Sequence, residues 1–426
     1  MAKVIKRRWV GEHESGLPRR HRQSCEYEVY IPDALGERTF ALDGPVAADV
    51  TEAETAITRL NLQARALSNS EALARLLLRS ESVASSKIEG LEVGARRLLR
   101  AEAARDLGEA AGDVTASEVL GNIDAMAYAI SSVTEGDPIT LDLLLETHRR
   151  LLAGSRLEEH GGHLRDRQNW IGGSSFNPCS AVFVPPPPEM VQEYLVDLCE
   201  FCNTDSLPAV AHAAIAHAQF ETIHPFIDGN GRTGRALIHM VLRRRGLAPR
   251  VLPPVSLILA TWATDYIAAL TATRYLGSPT SLAAHEGLNR WVGLFAAATK
   301  RAVADATAFE ERITDLEAAW RTKLGRVRKN SATDLLLAAL PATPVLTVQG
   351  AASLIGRSVQ AANEAVARLK ESGVLRQVTI GKRNRAFEAL QLIRAFTDLE
   401  RQLASPTGDT RVAPPARRVP RRGEPK

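Results

Sequence analysis

Between residues 208 and 246 the chain reads PAVAHAAIAHAQFETI, then HPFIDGNG, then RTGRALIHMVLRRRG, and this order leaves little choice of local structure. Val210, Ile215, Phe220 and Ile223 recur at helical spacing before the break. Leu237, Ile238, Val241 and Leu242 do so after it, and the run Arg243 to Arg245 followed by Gly246 is a good helix end by dipole and cap. The stretch is therefore read as helix, loop, helix. Glycines in Asp228-Gly229-Asn230-Gly231 permit positive φ, so successive backbone N–H groups converge where the second helix offers its unpaired N-terminal donors. That is a seat for an anion. Arg232 and Arg235, three apart on the first turn, reach toward one polyanion, which suits a di- or triphosphate.

Rival readings of the loop fail on their own terms. A hairpin turn would need alternating flanks, and these are helical. A calcium loop aligned on Gly231 puts Phe226 at its first ligand and Leu237 at its last. A dinucleotide fingerprint needs a preceding strand and a different glycine spacing.

The rest of the chain sets the context. At 426 residues, 45% hydrophobic and 24% charged, it is long enough for two or three domains of ordinary globular composition. The formal net charge is +4, much of it in the closing VAPPARRVPRRGEPK, so the body carries no general field for nucleic acid or membrane. Cys25, Cys179, Cys199 and Cys202 are too few and too uneven for a disulfide framework. MAKVIKRRW is followed by charge and not by an apolar signal core, so a reducing cytoplasm is the expected home. No apolar run approaches the roughly 18 residues of a spanning helix. Cys199 and Cys202 fall on the apolar face of a helical segment with no second ligand pair downstream, and are read as buried thiols.

Helical periodicity covers 51 to 80, 115 to 153, 189 to 203, 208 to 223, 233 to 245 and 281 to 325. Strands are expected at YEVYI (27 to 31), around NWIGG and AVFVPPPP (169 to 188), and near VLRQVTI and RAFEAL. Composition shifts at 321 to 331 and again near 402. His212, His217 and His239 are assigned no role.

HPFIDGNGRTGR resembles the Fic family signature at every defined position. Segments 20 to 110 and 161 to 188 are similar to the region that often precedes Fic cores and to the family's flap. The resemblance implies a mainly α fold, a Fic helical core with a short β-hairpin flap, and transfer of AMP from ATP to a hydroxyl of a target protein. His224 would be the general base, since an imidazole with a pKa near 6.5 accepts a Ser, Thr or Tyr hydroxyl proton at neutral pH. Asp228 would hold Mg²⁺ on the phosphates. Gly229, Asn230, Gly231 and Gly234 would build the phosphate cradle, and Arg232 and Arg235 would take the β and γ groups. Phe226 is read as a core anchor for the loop, and Pro225 as shaping the exit from the helix before it.

SSKIEG (85 to 90) resembles the family's inhibitory motif. It places Ser85 and Glu89 one helical turn apart with Gly90 ending the run. The resemblance implies that Glu89 pairs with Arg235 and blocks the reactive pose of ATP. Gly172-Gly173 and Pro185 to Pro188 bracket the flap, whose edge can hold a target peptide by backbone hydrogen bonds. Arg165, Trp170 and Ile171 lie there without assigned roles. ATDLLLAAL, TVQGAASLI and RSVQAANEAVARLKES followed by GVLRQVTIGKRNRAFEA resemble a winged helix-turn-helix, with the turn at IGRS and basic Lys382, Arg383 and Arg385 at the wing tip. Val359, Ala362, Val366 and Leu369 would face its core, leaving Arg357, Ser358, Gln360, Asn363 and Arg368 toward DNA.

The expected organisation is an N-terminal Fic-associated region with the inhibitory helix (1–110), the catalytic core (111–305), a connecting helix and linker (306–330), the winged helix-turn-helix (331–400) and a disordered basic tail (401–426). Expected partners are ATP and a hydroxyl-bearing protein. DNA through 331–400 and a homodimer stay open, and no membrane is expected. A DNA-binding regulator with a nucleotide-sensing core, or an enzyme removing AMP, are the alternatives.

Overall fold

Ala, Leu and Arg lose little side-chain freedom in a helix, and the stretches rich in them fold as helices in the computed structural model, which describes residues 1–11, 24–36, 38–66, 70–106, 108, 113–380 and 384–403. In chain order these are β1 (Lys3–Trp9), β2 (Cys25–Ile31), α1 (Gly44–Ala66), α2 (Ser70–Ile88), α3 (Ala95–Asp106), α4 (Val114–Ser131), α5 (Leu141–Leu152), α6 (Pro188–Cys202), α7 (Ala209–Ile223) and α8 (Asn230–Arg244). There follow α9 (Val255–Thr261), α10 (Ala263–Ala272), α11 (Leu282–Leu324), α12 (Ala332–Ala339), β3 (Val345–Leu346), α13 (Val348–Ile355), α14 (Val359–Glu371), β4 (Arg376–Ile380), β5 (Asn384–Glu388) and α15 (Leu390–Leu403). The chain is mainly helical, with two small antiparallel sheets among the described residues. No single helix there is long and apolar enough to cross a membrane.

Two compact units divide the chain. One holds Met1–Leu62, Leu120–Leu252 and Thr264–Lys300; the other holds Gln63–Val119, Pro253–Ala263 and the chain from Arg301 on.

In the first unit α7 is buried on every side, all of Ala209 to Ile223, so its small alanines let neighbours close in around it. The indole of Trp291 on α11 is fully buried and donates to the Ala214 carbonyl of α7 at 2.7 Å. Gly287 of α11 lies so near α10 that a Cβ there would stand 2.0 Å from the Ala272 carbonyl oxygen. β1 pairs with β2 from Lys3↔Ile31 to Trp9↔Cys25. The first of these strands is not among the strands expected from sequence: its exposed Lys3, Lys6 and Arg8 alternate with residues that are only half-covered, which weakens the period-2 signal. A disulfide joins Cys25 of β2 to Cys179, a pairing that the spacing did not disclose. Cys199 and Cys202 are buried thiols, as their helical register implied.

The flap is slighter than the expected hairpin. Ile171 and Phe183 make one antiparallel bridge. Around it Gly172 and Gly173 sit at φ of 74° and 73°, and Pro178 and Pro185 to Pro188 lack the N–H a ladder needs.

In the second unit, Ser331, Thr347 and Ser358 cap α12, α13 and α14 by accepting the N–H of Asp334, Gly350 and Ala361. Gly356, left-handed at φ 60°, closes α13 at the IGRS turn. β3, β5 and β4 form a sheet in that order. Ala362, Val366 and Leu369 are buried, but Val359 is 53% exposed, because it is the first residue of α14 and the helix has not yet turned it inward. Arg368 does not point outward as expected either: it donates to the carbonyls of Leu324 and Arg326. Lys382, Arg383 and the tail from 404 on lie outside the described residues. The helical stretch expected at 115 to 153 is broken between α4 and α5, where Gly136 takes φ 82° and Pro138 follows.

Replacing Gly287 with Ala forces a methyl group onto the Ala272 carbonyl and lowers stability by about 1–3 kcal/mol through overpacking. Thermal unfolding of the variant checks this, and an unshifted midpoint would contradict the α10–α11 approach described above.

Candidate functional site

The helix-loop-helix foreseen at 208 to 246 is present, and its bend begins at His224. This residue caps α7 in the left-handed conformation (φ 50°, ψ 60°), with its N–H on the Phe220 carbonyl at 2.9 Å. A non-glycine residue in that region costs about 1–3 kcal/mol and persists only when its surroundings hold it. Here they do. The His224 carbonyl accepts from Arg165 Nε at 2.9 Å and from Asn169 Nδ2 at 3.2 Å. Arg165 is 2% exposed, gives Nη2 to the carbonyls of Ile223 and Pro186, and takes the Pro225 carbonyl on its own N–H at 3.0 Å. Burial pulls its pKa down to about 10, which leaves the guanidinium charged. Asn169 also donates to the Phe226 carbonyl at 3.0 Å.

Asn230 folds the other half of the loop. Its Oδ1 accepts the Phe226 N–H and its Nδ2 donates to the Phe226 carbonyl, both at 2.8 Å. The side chain expected to touch phosphate thus serves the turn, and what it leaves toward the anion is its backbone N–H. Phe226 is fully buried and stacks on the His148 ring at 3.6 Å, as an anchor should. His148 accepts the Gly162 N–H on Nδ1, so its proton is on Nε2, from which it donates to the Asp228 carbonyl at 3.0 Å. Burial lowers its pKa to about 4 and keeps this tautomer neutral.

Gly229, at φ 76°, is the N-cap of α8 and makes no side-chain cap bond. A Cβ there would come within 2.8 Å of Leu151 Cδ2 as well. The first intrahelical bond is Thr233 N–H to the Gly229 carbonyl, so the N–H groups of Asn230, Gly231 and Arg232 precede the ladder at the positive end of the dipole. Arg232 is nearly buried and reaches Asp228 Oδ2 at 3.1 Å, with no hydrogen-bond partner at Nε. Arg235 is 1% exposed on the same helix, and after burial its charge is the next cause holding the His217 pKa down, at about 3. Gly234 lets α7 and α8 touch: a Cβ would lie 2.7 Å from Glu221 Oε1 and 2.8 Å from the Phe220 ring.

The loop therefore buries nearly everything it contains. His224 is half-buried and Asp228 exposed, and they are the chemistry-bearing side chains that reach solvent. The structure brings together His224, Asp228, Gly229, Asn230, Gly231, Arg232, Gly234 and Arg235. His148, Arg165 and Asn169, which fix them, were not singled out as site residues. Their signal is weak in sequence, because each acts on backbone carbonyls distant along the chain.

Ser85, Glu89 and Gly90 belong to the second unit. Ser85 is fully buried on α2, which ends at Ile88. Glu89 and Gly90 form the turn after it, Gly90 at φ 82°, and Glu89 is exposed. The one-turn spacing of Ser85 and Glu89 thus runs off the helix end.

Residues 138–242 match the Fic/DOC family, and residues 47–131 match the Fic/DOC family N-terminal region. The protein adenylyltransferase fic-1 of Caenorhabditis elegans is 36% identical over 142 residues, 32% of this chain and 26% of that protein. The protein adenylyltransferase Fic of Drosophila willistoni is 37% identical over 140 residues, again 32% and 26%. The chain spans about a quarter (26%) of the length of these relatives. A crystal structure of a Fic family protein from Desulfovibrio desulfuricans G20 shares the fold, with a TM-score of 0.51 over 82% of this chain and 97% of that one at 19% identity.

His148, His212 and His217 have folded pKa values of about 4, 4 and 3, below the ordinary 6.5, all chiefly through burial. Their stabilisation is complete above pH 6.5 and is withdrawn as pH falls toward 4, by about 1.4 kcal/mol per histidine and pH unit. The unfolding midpoint is expected to be level near pH 7 and to fall steeply below 6, with His148→Gln reducing the slope; an unaltered slope in that variant would contradict the assignment.

Proposed function

Taking residues 47–131 and 138–242 as a Fic/DOC N-terminal region followed by a Fic/DOC domain, we propose that the chain is a protein adenylyltransferase moving AMP from ATP to a hydroxyl side chain of a target protein. The observation that carries this reading is the loop in which His224 and Asp228 alone offer chemistry to solvent, beside a helix N-terminus backed by two buried arginines.

The reaction places one proton and one bond. A target Ser, Thr or Tyr hydroxyl gives its proton to the His224 ring as its oxygen attacks the α phosphorus of ATP, and the bond to pyrophosphate breaks. The left-handed cap bond at Phe220, with Arg165 and Asn169 on the His224 carbonyl, would aim the ring; these are positioning residues. The N–H groups of Asn230, Gly231 and Arg232 would receive phosphate oxygens, and Arg232 and Arg235 would meet the charge of the leaving pyrophosphate.

Asp228 suits Mg²⁺ in one way. Its side chain is 51% exposed, and no group of three or more His, Cys, Asp or Glu gathers as a metal cage among the described residues. A single open carboxylate fits an ion that arrives with its nucleotide, since Mg²⁺ is held by one or two carboxylates together with substrate phosphates. Asp228 would hold it; when bound, the ion offsets charge on the phosphates.

We read the Ser85 to Gly90 segment as the element restraining this activity, and α12 to α14 with β3 to β5 as a winged helix-turn-helix. The DNA-binding reading gains little. The outer face of α14 offers Gln360 and Asn363, with Arg357 just before the helix, but Glu364 and Glu371 accompany them and Arg368 is committed to Leu324 and Arg326.

Incubation with labelled ATP and Mg²⁺ tests the reading. Wild-type protein is expected to label itself or a target, His224→Ala to lose at least about 100-fold, the scale of a general base, and the adduct mass to be that of AMP. Equal labelling by His224→Ala would overturn it. Glu89→Gly is expected to raise labelling by about fivefold or more; release of AMP from a modified target instead would favour the reverse reaction.

A further inference from the structure

The helix that ends in Ser85 to Gly90 is built into the same compact unit as the C-terminal module, and the joints between them are charged. Arg79, on α2 two turns before the motif and 6% exposed, donates Nη1 to the Ala342 carbonyl at 3.1 Å, just before β3, and Nη2 to both Glu102 oxygens of α3 at 2.9 and 2.7 Å. α3 in turn is fastened to the sheet. Glu388 of β5 is fully buried, and its carboxylate receives Arg96 at 3.1 and 2.7 Å, Arg100 at 3.4 Å, and Arg376 of β4. Leu99 and Ala103 of α3 share one apolar cluster with Val345, Ala386 and Ile393. From the other side, Glu81 of α2, fully buried, accepts the N–H of Ser256 at 2.8 Å and its hydroxyl, so α9 grips the same helix.

We propose that the C-terminal module, residues 331–403, governs the restraint exerted by Ser85 to Gly90: the Glu388 cluster and the Arg79–Glu102 pair transmit displacement of the module to α2. This rests on the reading of that motif as inhibitory. The physical reason is that polar joints of this kind are held by charge balance and geometry, so losing one partner's charge favours an opened arrangement. One buried carboxylate satisfies three guanidiniums. Without its charge the three repel one another, and their side chains, 45%, 36% and 52% exposed for Arg96, Arg100 and Arg376, have water to turn to. The apolar cluster beneath would keep the fold while the joint opens. A partner loading the exposed face of the module would act on the same equilibrium, by no more than its differential affinity for the two states.

Glu388→Gln in the full chain tests this with two readouts. Backbone hydrogen exchange over residues 75–88, on α2 and far along the chain from the substitution, is expected to quicken by at least about fivefold, the low end of ordinary coupling between sites. Self-labelling with ATP is expected to rise with it, and Glu388→Gln combined with Glu89→Gly to be no more active than Glu89→Gly alone. Exchange that quickens at 376–388 while 75–88 keeps the wild-type rate would overturn the proposal, as would activities that multiply in the double variant. The exchange result stands without any transfer activity, so a failure of the adenylyltransferase reading is distinguishable from a failure of the coupling. Should Glu388→Gln not fold, Glu102→Gln, on a carboxylate 23% exposed, opens the other joint and carries the same test.

Discussion

One buried amide fixes the shape of the loop on which the proposed chemistry rests. Asn230 returns to Phe226 and satisfies both its N–H and its carbonyl, closing a loop of a few residues into a fixed shape. That bond pair sets the start of α8, and with it the direction of the unpaired N–H groups at its tip. It also holds Phe226 against the His148 ring, and His148 then holds the Asp228 carbonyl. Two neutral hydrogen bonds add only about 1 kcal/mol each in net stability, but leaving either partner buried and unmet costs more. The turn is therefore better specified than its own modest energy would indicate.

Much of this was legible in the sequence, for physical reasons that differ by level. The helices around the loop were readable because α8 shows an apolar stripe at helical spacing and ends in a basic run. Residue types with narrow conformational or chemical purposes, Gly229 and Asp228 among them, were readable because few other residues do what they do. What stayed hidden were the contacts made by ordinary residues through ordinary backbone. Arg165 in a flap segment gives no sign that it will hold the carbonyl of His224. His148 inside an amphipathic helix looks like any packed histidine. The N-terminal strand carries a weak signal because its exposed lysines and arginine alternate with residues that are only half-covered, and glycine and proline in the flap mark a turn without saying how much ladder survives beside it.

The two units also show how sequence order and spatial grouping part company. The N-terminal region matched by the Fic/DOC N-terminal family runs from 47 to 131, yet α2 and α3 within it are fastened by arginine and glutamate to elements from the far end of the chain. Residues that follow the 224–235 loop in the chain, such as those of α9, grip α2 as well. A linear scheme of domains hides such joints, since the residues forming them carry no motif.

The bond between Cys25 and Cys179 has a further consequence for anyone shortening this protein. It closes a ring of chain 154 residues apart, one end on the second strand and the other on the exposed turn that follows the two glycines of the flap. Cutting away the first strands would leave a lone sulfhydryl on that turn, three residues before Val182, which is 84% open to water. Two such fragments would be able to oxidise onto one another, and a dimer seen in trimmed material would then report the missing strand, not an assembly habit of the intact chain.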